Sequence, residues 1–168
     1  MSNLSLPVTV RTDNEGKRLA SAGNIYRVLA SGAETHGRYA LLESLVKPGQ
    51  GAPFHLHERE EEAFFVLEGE MVFFTENERI HAPTGTFLNC PVNSVRGFRN
   101  ESDKLARILI LLAPSGLEEM FEEDGVVLEQ TGAFRDTEIK DGRPMSCPVI
   151  SERFGIVNLT KPIPEPAS

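Results

Sequence analysis

A chain of 168 residues, 40% of them hydrophobic, is long enough for one domain with a sizeable core. Its formal net charge of −8 excludes a general nucleic-acid binder, which needs clustered Lys and Arg against phosphates. Two widely spaced cysteines, Cys90 and Cys147, exclude a disulfide framework, and the most apolar run, LARILILLA at 105–113, is too short to span a bilayer.

The first residues, MSNLSLPVTVRTDNEGK, lack the charged lead and apolar core of a signal peptide, so a cytoplasmic protein is expected, with no membrane and no nucleic-acid partner. Strand patterns then recur as NIYRVLAS (24–31), RYALLESLV (38–46), EEAFFVLEGEMVFFTE (61–76), GTFLNC (85–90), VRGFRN (95–100) and LARILILLA (105–113). Between them KPGQGAP (47–53), TENERI (75–80), APTG (82–85) and NESD (100–103) read as turns. No helical period precedes residue 115, so an all-β sandwich or barrel is expected rather than an open α/β sheet. PSGLEEMFEEDG (114–125) then changes to helical spacing. Ser115 and Glu118 stand at capping-box distance, Leu117, Met120 and Phe121 form one stripe, and Gly125 offers a stop. Such a helix packs its stripe on the barrel or serves as a lid over the barrel mouth. Residues 126–150 are mixed, SERFGIVNL (151–159) suggests a helical turn followed by a strand, and PIPEPAS (162–168) suggests an extended tail. The expected plan is N-terminal strands or an arm flanking the barrel over 1–35, a barrel core over 36–113 and a C-terminal helix, extension and Pro-rich tail over 114–168, all within one domain.

The chemistry concentrates in GQGAPFHLHEREEEAFFVLEG (49–69). His55 and His57 lie two positions apart, so both imidazoles point to one face of a strand. Glu62 opens the next apolar run and can reach that face from the neighbouring strand. Two imidazoles and a carboxylate form a ligand set for a divalent transition metal, and with open positions they suit non-haem iron.

At these positions the chain resembles the cupins. Their first motif is matched by Gly49, His55, His57, Glu62 and Gly69 at every spacing. The second is matched by Gly85, Pro91, Asn93, Arg96 and Asn100, with two departures. Asn93 replaces a turn glycine, a mild change because Asn tolerates positive φ. Arg96 replaces the remaining metal-binding histidine, which is not mild. The resemblance implies a double-stranded β-helix, or jelly roll, with His55, His57 and Glu62 as candidate ligands for Fe, Ni, Mn or Zn. The six-residue gap to Gly69 selects Glu62 over Glu60 and Glu61. Glu61 has the opposite strand phase and is expected in solvent. Glu58, Arg59 and Glu60 are read as a solvated turn, His36 as exposed, and His81 as no replacement ligand.

Arg96 supplies no metal ligand, because guanidinium stays protonated. Three placements follow: paired with Glu62 in a metal-free cavity, swung outward from a three-ligand site, or beside a metal as a candidate clamp for a carboxylate-bearing ligand. Phe54, Phe64, Phe65, Phe73, Phe74, Phe87 and Phe98 are expected to fill the core, with some facing an apolar cavity. Asn100 is expected to close a turn through local backbone bonds. Three functions compete: a small-molecule-binding barrel with a degenerate metal site, a metal-dependent dioxygenase or isomerase, and a non-catalytic structural dimer. A homodimer is expected on any of these readings, with segment 3–31 covering or exchanging a sheet edge.

Overall fold

Alternating apolar residues, interrupted by Gly, Pro and Asn, fold into two facing antiparallel sheets. The computed structural model describes residues 5–129, 131–138 and 147–162. Its strands in chain order are β1 (Arg18–Ser21), β2 (Asn24–Ala30), β3 (Ala40–Val46), β4 (Gly51–His57), β5 (Glu61–Glu68) and β6 (Glu70–Phe74). They continue as β7 (Arg79–Pro83), β8 (Phe87–Cys90), β9 (Arg96–Arg99), β10 (Ala106–Ala113), β11 (Val126–Leu128) and β12 (Ile156–Asn158). One sheet runs β11-β1-β2-β3-β10-β5-β8 and the other β12-β4-β9-β6-β7. This is the all-β jelly roll, with a short C-terminal helical region made of α1 (Glu118–Asp124) and α2 (Pro148–Arg153).

The inner faces of the two sheets form the main core. Phe64, Phe73 and Phe98 pack there with ring centroids 4.9 to 5.7 Å apart, in tilted and edge arrangements that suit aromatic quadrupoles. Phe54 and Phe74 belong to a smaller buried cluster, whereas Phe65 and Phe87 are exposed. On the outer face of β2 and β3, Ile25 and Leu45 are covered by Phe134 from a 3₁₀ turn at Phe134–Asp136.

Several turn expectations are corrected. TENERI and APTG overlap a strand, β7, which pairs with β6 from Glu70↔Pro83 to Phe74↔Arg79. The apparent turn at 47–53 ends early, since β4 begins at Gly51 and contains Pro53. The β4–β9 register shifts between Ala52 and His55, and such an irregularity accommodates a residue without an N–H. In the N-terminal region β1 and β2 extend the sheet beside β3 within the same chain. The capping box at Ser115 does not form either. The helix starts at Glu118, whose carboxylate instead accepts bonds from the Gly32 N–H at 2.9 Å and the Gly116 N–H at 2.6 Å. Of the expected tail, residues 163–168 lie outside the described residues.

Other readings hold. Residues 151–159 contribute the end of α2 and then β12. Asn93 adopts φ 63°, the left-handed turn that the glycine replacement required. Asn100 is fully buried and closes its turn, donating to the Val46 and Lys104 carbonyls at 2.8 and 2.7 Å and accepting from the Ser102 N–H at 3.0 Å. The Val46 bond also ties the turn to β3.

Candidate metal and ligand site

Strand phase does what the spacing demanded. β4 carries His55 and His57 to the inner face, and β5 carries Glu62 to meet them. One donor atom from each of the three lies within 4.8 Å of the others. Glu62 Oε2 is 3.6 Å from His57 Nε2 and 4.0 Å from His55 Nε2. All three side chains are buried, Glu61 points to solvent, and neither His36 nor His81 joins them. His81 sits on the surface with Nε2 2.9 Å from Glu70.

Arg96 stands beside His55 in the β4–β9 register and is 1% exposed. Its Nε donates to Glu62 Oε2 at 3.2 Å and its Nη1 to the Ser94 carbonyl at 2.9 Å, while Nη2 has no hydrogen-bond partner. Of the three expected placements, the structure takes the pairing with Glu62. His55 Nδ1 lies 2.8 Å from the Pro53 carbonyl, which fixes the proton on Nδ1 and leaves the Nε2 lone pair facing the cluster. His57 Nδ1 is buried without a partner.

Burial dominates the protonation of the site. It pushes His55 down to about 4, helped by the Arg96 charge and opposed by the Pro53 bond. It pushes His57 down to about 2, with Arg96 and His55 adding to the shift. Both imidazoles are therefore neutral at neutral pH, the form that binds metals. Burial moves the Glu62 carboxyl upward, and the charge and hydrogen bond of Arg96 oppose that movement. Cys90, opposite Glu62 on β8, is a poor nucleophile because burial and the Glu62 charge raise its thiol to about 11.

Glu60 corrects the solvated-turn reading. It is 3% exposed, its Oε2 has no hydrogen-bond partner, and burial followed by the Glu62 charge pushes it up to about 7. The signal was available: the period of two that sends Glu61 outward returns Glu60 to the face of Glu62.

The cluster opens onto a cavity of about 80 Å³. Its walls are mostly apolar, with Tyr26, Phe98, Ile110, Met120 and Phe121 among them. Tyr26 and Phe121 stack with centroids 4.4 Å apart, so the α1 stripe both packs on the barrel and roofs the cavity. The C-terminal extension completes the wall. β12 pairs with β4, placing Ile156 opposite His57 and Asn158 opposite His55, and Ser151 of α2 borders the same space. Sequence reasoning missed these contributions, since no local pattern announces a pairing made a hundred residues away. Arg96 is not part of the cavity wall.

A metal fits this cluster in part. Two neutral imidazoles and a carboxylate converge, and the carbonyl behind His55 orients its ring as metal-binding histidines require. Against this, Glu62 Oε2 already faces a guanidinium, and the partnerless Nδ1 gives His57 no such orientation. The result is a partial His/His/Glu metal-binding cluster with an arginine in the remaining position.

Residues 42–112 match the family model for the cupin domain. The chain is 30% identical over 116 residues to quercetin 2,3-dioxygenase of Bacillus subtilis. That alignment covers 69% of this chain and 34% of the relative, so the chain spans about a third of the curated protein it matches. Among solved structures, a predicted oxalate decarboxylase from Thermotoga maritima superposes with a TM-score of 0.58 at 18% identity, covering 64% of this chain and 99% of that one. The polyketide cyclase RemF from Streptomyces resistomycificus superposes at 0.57 with 22% identity, covering 65% and 81%. At these identities the two superpositions establish a shared fold.

Proposed function

We propose that the cupin-fold domain of this chain binds a small, largely apolar organic molecule against His55, His57 and Glu62, and takes a divalent metal there only weakly. The observation that carries this reading is the contact of Arg96 Nε with Glu62 Oε2 at 3.2 Å. A fixed positive charge at about 5 Å from a divalent ion repels it by roughly 6 kcal/mol at an effective dielectric of about 20, a sizeable part of a metal's binding energy. The aromatic walls and single polar end are the usual make-up of a small-molecule pocket. His55 offers an oriented lone pair and Glu62 an acceptor of protons at that end.

A second reading, a metal-dependent enzyme, is favoured by the neutral imidazoles and by three donors within 4.8 Å. His55, His57 and Glu62 would hold the ion, which would supply Lewis acidity or redox chemistry to a bound molecule. The relative's name, quercetin 2,3-dioxygenase, supports oxygenation as a candidate reaction on this reading. Elemental analysis of protein purified without added metal or chelator separates the two. Substoichiometric metal supports the first reading, and a full complement of one transition metal per chain overturns it.

The partner proposed for the whole barrel is a second copy. Phe65 and Phe87 face each other across β5 and the unpaired edge strand β8, and both are exposed with Leu111 nearby on β10. An apolar patch beside a free sheet edge favours association. Light scattering at tens of micromolar should give a dimer, and Phe87→Asp should give a monomer.

A further inference from the structure

The cavity beside His55, His57 and Glu62 holds about 80 Å³, well below the roughly 300–1,000 Å³ of pockets that take small organic molecules, so a wall has to yield before one enters. The walls differ in how firmly they are held. α1 is anchored along its length: Met120 and Phe121 are buried, Phe121 stacks on Tyr26, and Glu118 accepts from the Gly32 and Gly116 N–H groups. The wall made by α2 and β12 is held less. Across the described residues 147–162, Ser151 and Ile156 alone have buried side chains. β12 is a three-residue edge strand on β4. Its pairing is bracketed by bonds from the Glu58 N–H to the Gly155 carbonyl and from the Leu159 N–H to the Phe54 carbonyl, each 2.9 Å. The ion pairs that reach from this wall to the barrel and α1, Lys161 with Glu76 and Arg153 with Glu123, are exposed and contribute little.

Within this wall the ties are tighter than those that leave it. Asn158 Nδ2 donates to Ser151 Oγ at 3.1 Å, and Ser151 Oγ donates to the Pro148 carbonyl at 3.0 Å, so strand and helix are joined through a side chain that is itself buried. Few buried apolar contacts and a short edge pairing mark the low-stability end of a fold, the part that opens without global unfolding.

We infer that α2 and β12 form a flap that separates from β4 as one unit and admits a small molecule to the histidines, while α1 stays in place as a fixed roof. Opening withdraws Ile156 and Asn158 from beside His57 and His55, and Ser151 from the cavity border. The purpose of the flap rests on the reading that the barrel binds a small molecule. Its motion is measured without one, so a barrel that takes no ligand fails the functional reading alone.

Hydrogen exchange of the full-length native protein, followed by NMR, tests the motion. The amides of Glu58 and Leu159, bonded between β4 and the flap, and of Ser151, bonded within it, should exchange through one common opening. The Gly32 amide, bonded to Glu118, reports release of α1 and should be at least tenfold more protected. Separate openings at the three flap amides, or protection equal to that of Gly32, overturn the flap. A lock placed outside the cavity tests the entrance. Leu56 and Val157 are register partners of opposite strand phase to His55 and Asn158, and neither borders the cavity. Direct antiparallel partners lie about 4.5–5.5 Å apart at Cα, within the span of a disulfide. The double variant Leu56→Cys/Val157→Cys, freed of metal with a chelator, is labelled with diethyl pyrocarbonate, a small reagent for imidazole nitrogen. With the bridge oxidised, and confirmed by peptide mapping, His55 and His57 should label at least tenfold more slowly than with it reduced. The exposed His36 and His81 should label equally in both forms. Equal labelling of His55 and His57 in the two forms overturns the flap as the way in.

Discussion

The barrel buries two arginine–glutamate clusters, one on each face of the seven-stranded sheet, and they are built to different ends. On the outer face Glu43 pairs with Arg27 and lies 3.1 Å from Arg107 Nε. Arg27 also donates to the Thr12 carbonyl at 2.9 Å and sits over the Phe134 ring at 5.0 Å. There the carboxylate is held from both sides and an aromatic lid closes over the pair. On the inner face Glu62 has one arginine and borders an open cavity, and Arg96 Nη2, His57 Nδ1 and Glu60 Oε2 are buried without hydrogen-bond partners. Arg27 Nε of the outer cluster is likewise buried without a hydrogen-bond partner, so the two clusters differ in access: Phe134 covers the outer one, and the inner one meets a cavity. The outer cluster ties β2, β3 and β10 together, and the inner one borders the cavity.

The largest expected effect breaks the outer cluster. Glu43→Ala strands the guanidinium of Arg27 in a buried position, and removing one partner of a buried pair costs about 3–5 kcal/mol. Glu62→Ala strands only Arg96, at a site where cavity water can move in, so its loss should be less than half as large. Urea unfolding of both variants measures the difference. A Glu62→Ala loss equal to that of Glu43→Ala would make the inner pair structural as well, and the contrast would fail.

The next effect sharpens the contrast by changing the cation. Arg96→His removes the fixed charge and adds a third imidazole, so affinity for nickel, iron or zinc should rise at least tenfold, about 1.4 kcal/mol. Calorimetric titration of native and variant protein with the same metal reads this directly. Equal affinities would mean that the Arg96–Glu62 contact does not govern metal binding. The corresponding outer change, Arg107→His, should leave metal affinity untouched.

How much of this was legible in the sequence depends on the range of the forces involved. His55, His57 and Glu62 were readable because strand phase and motif spacing are local, and Asn93 because a left-handed turn selects for its residue type. The pairing of Arg96 with Glu62 was one of three open placements, since the choice depends on a neighbour 34 positions away. β7 was hidden by its own turn-like composition, being an edge strand whose pairing with β6 overrides weak propensity. The C-terminal wall was hidden for a different reason. Ile156 and Asn158 acquire their meaning only once β12 lies on the histidine strand, and three residues carry too little pattern to predict that. Ser115 and Glu118 show the converse failure, where a correct local spacing lost to a tertiary bond from Gly32.

The smallest expected effect concerns Glu60 and is read through pH. Its carboxyl is raised to about 7 in the folded protein from an ordinary value of 4.5, by burial first and by the charge of Glu62 second. A raised carboxyl pKa means that the folded state binds the proton more tightly than the unfolded chain. The stability that this supplies is fully present below about 4.5 and is lost as pH rises through about 7. The histidines act in the opposite window, because their lowered values remove stability as pH falls below 6.5 toward about 4 for His55 and about 2 for His57. Between pH 6 and 8 the burial of Glu60 therefore makes the native protein lose stability with rising pH. Glu60→Gln removes that titration, so its melting temperature should fall less between pH 6 and 8 than that of the native protein. The outer cluster supplies the control, since Arg107→Lys leaves Glu60 in place and should keep the native slope. If Glu60→Gln shows the native slope too, the Glu60 carboxyl is solvated, and the inner cluster has one buried partnerless atom fewer.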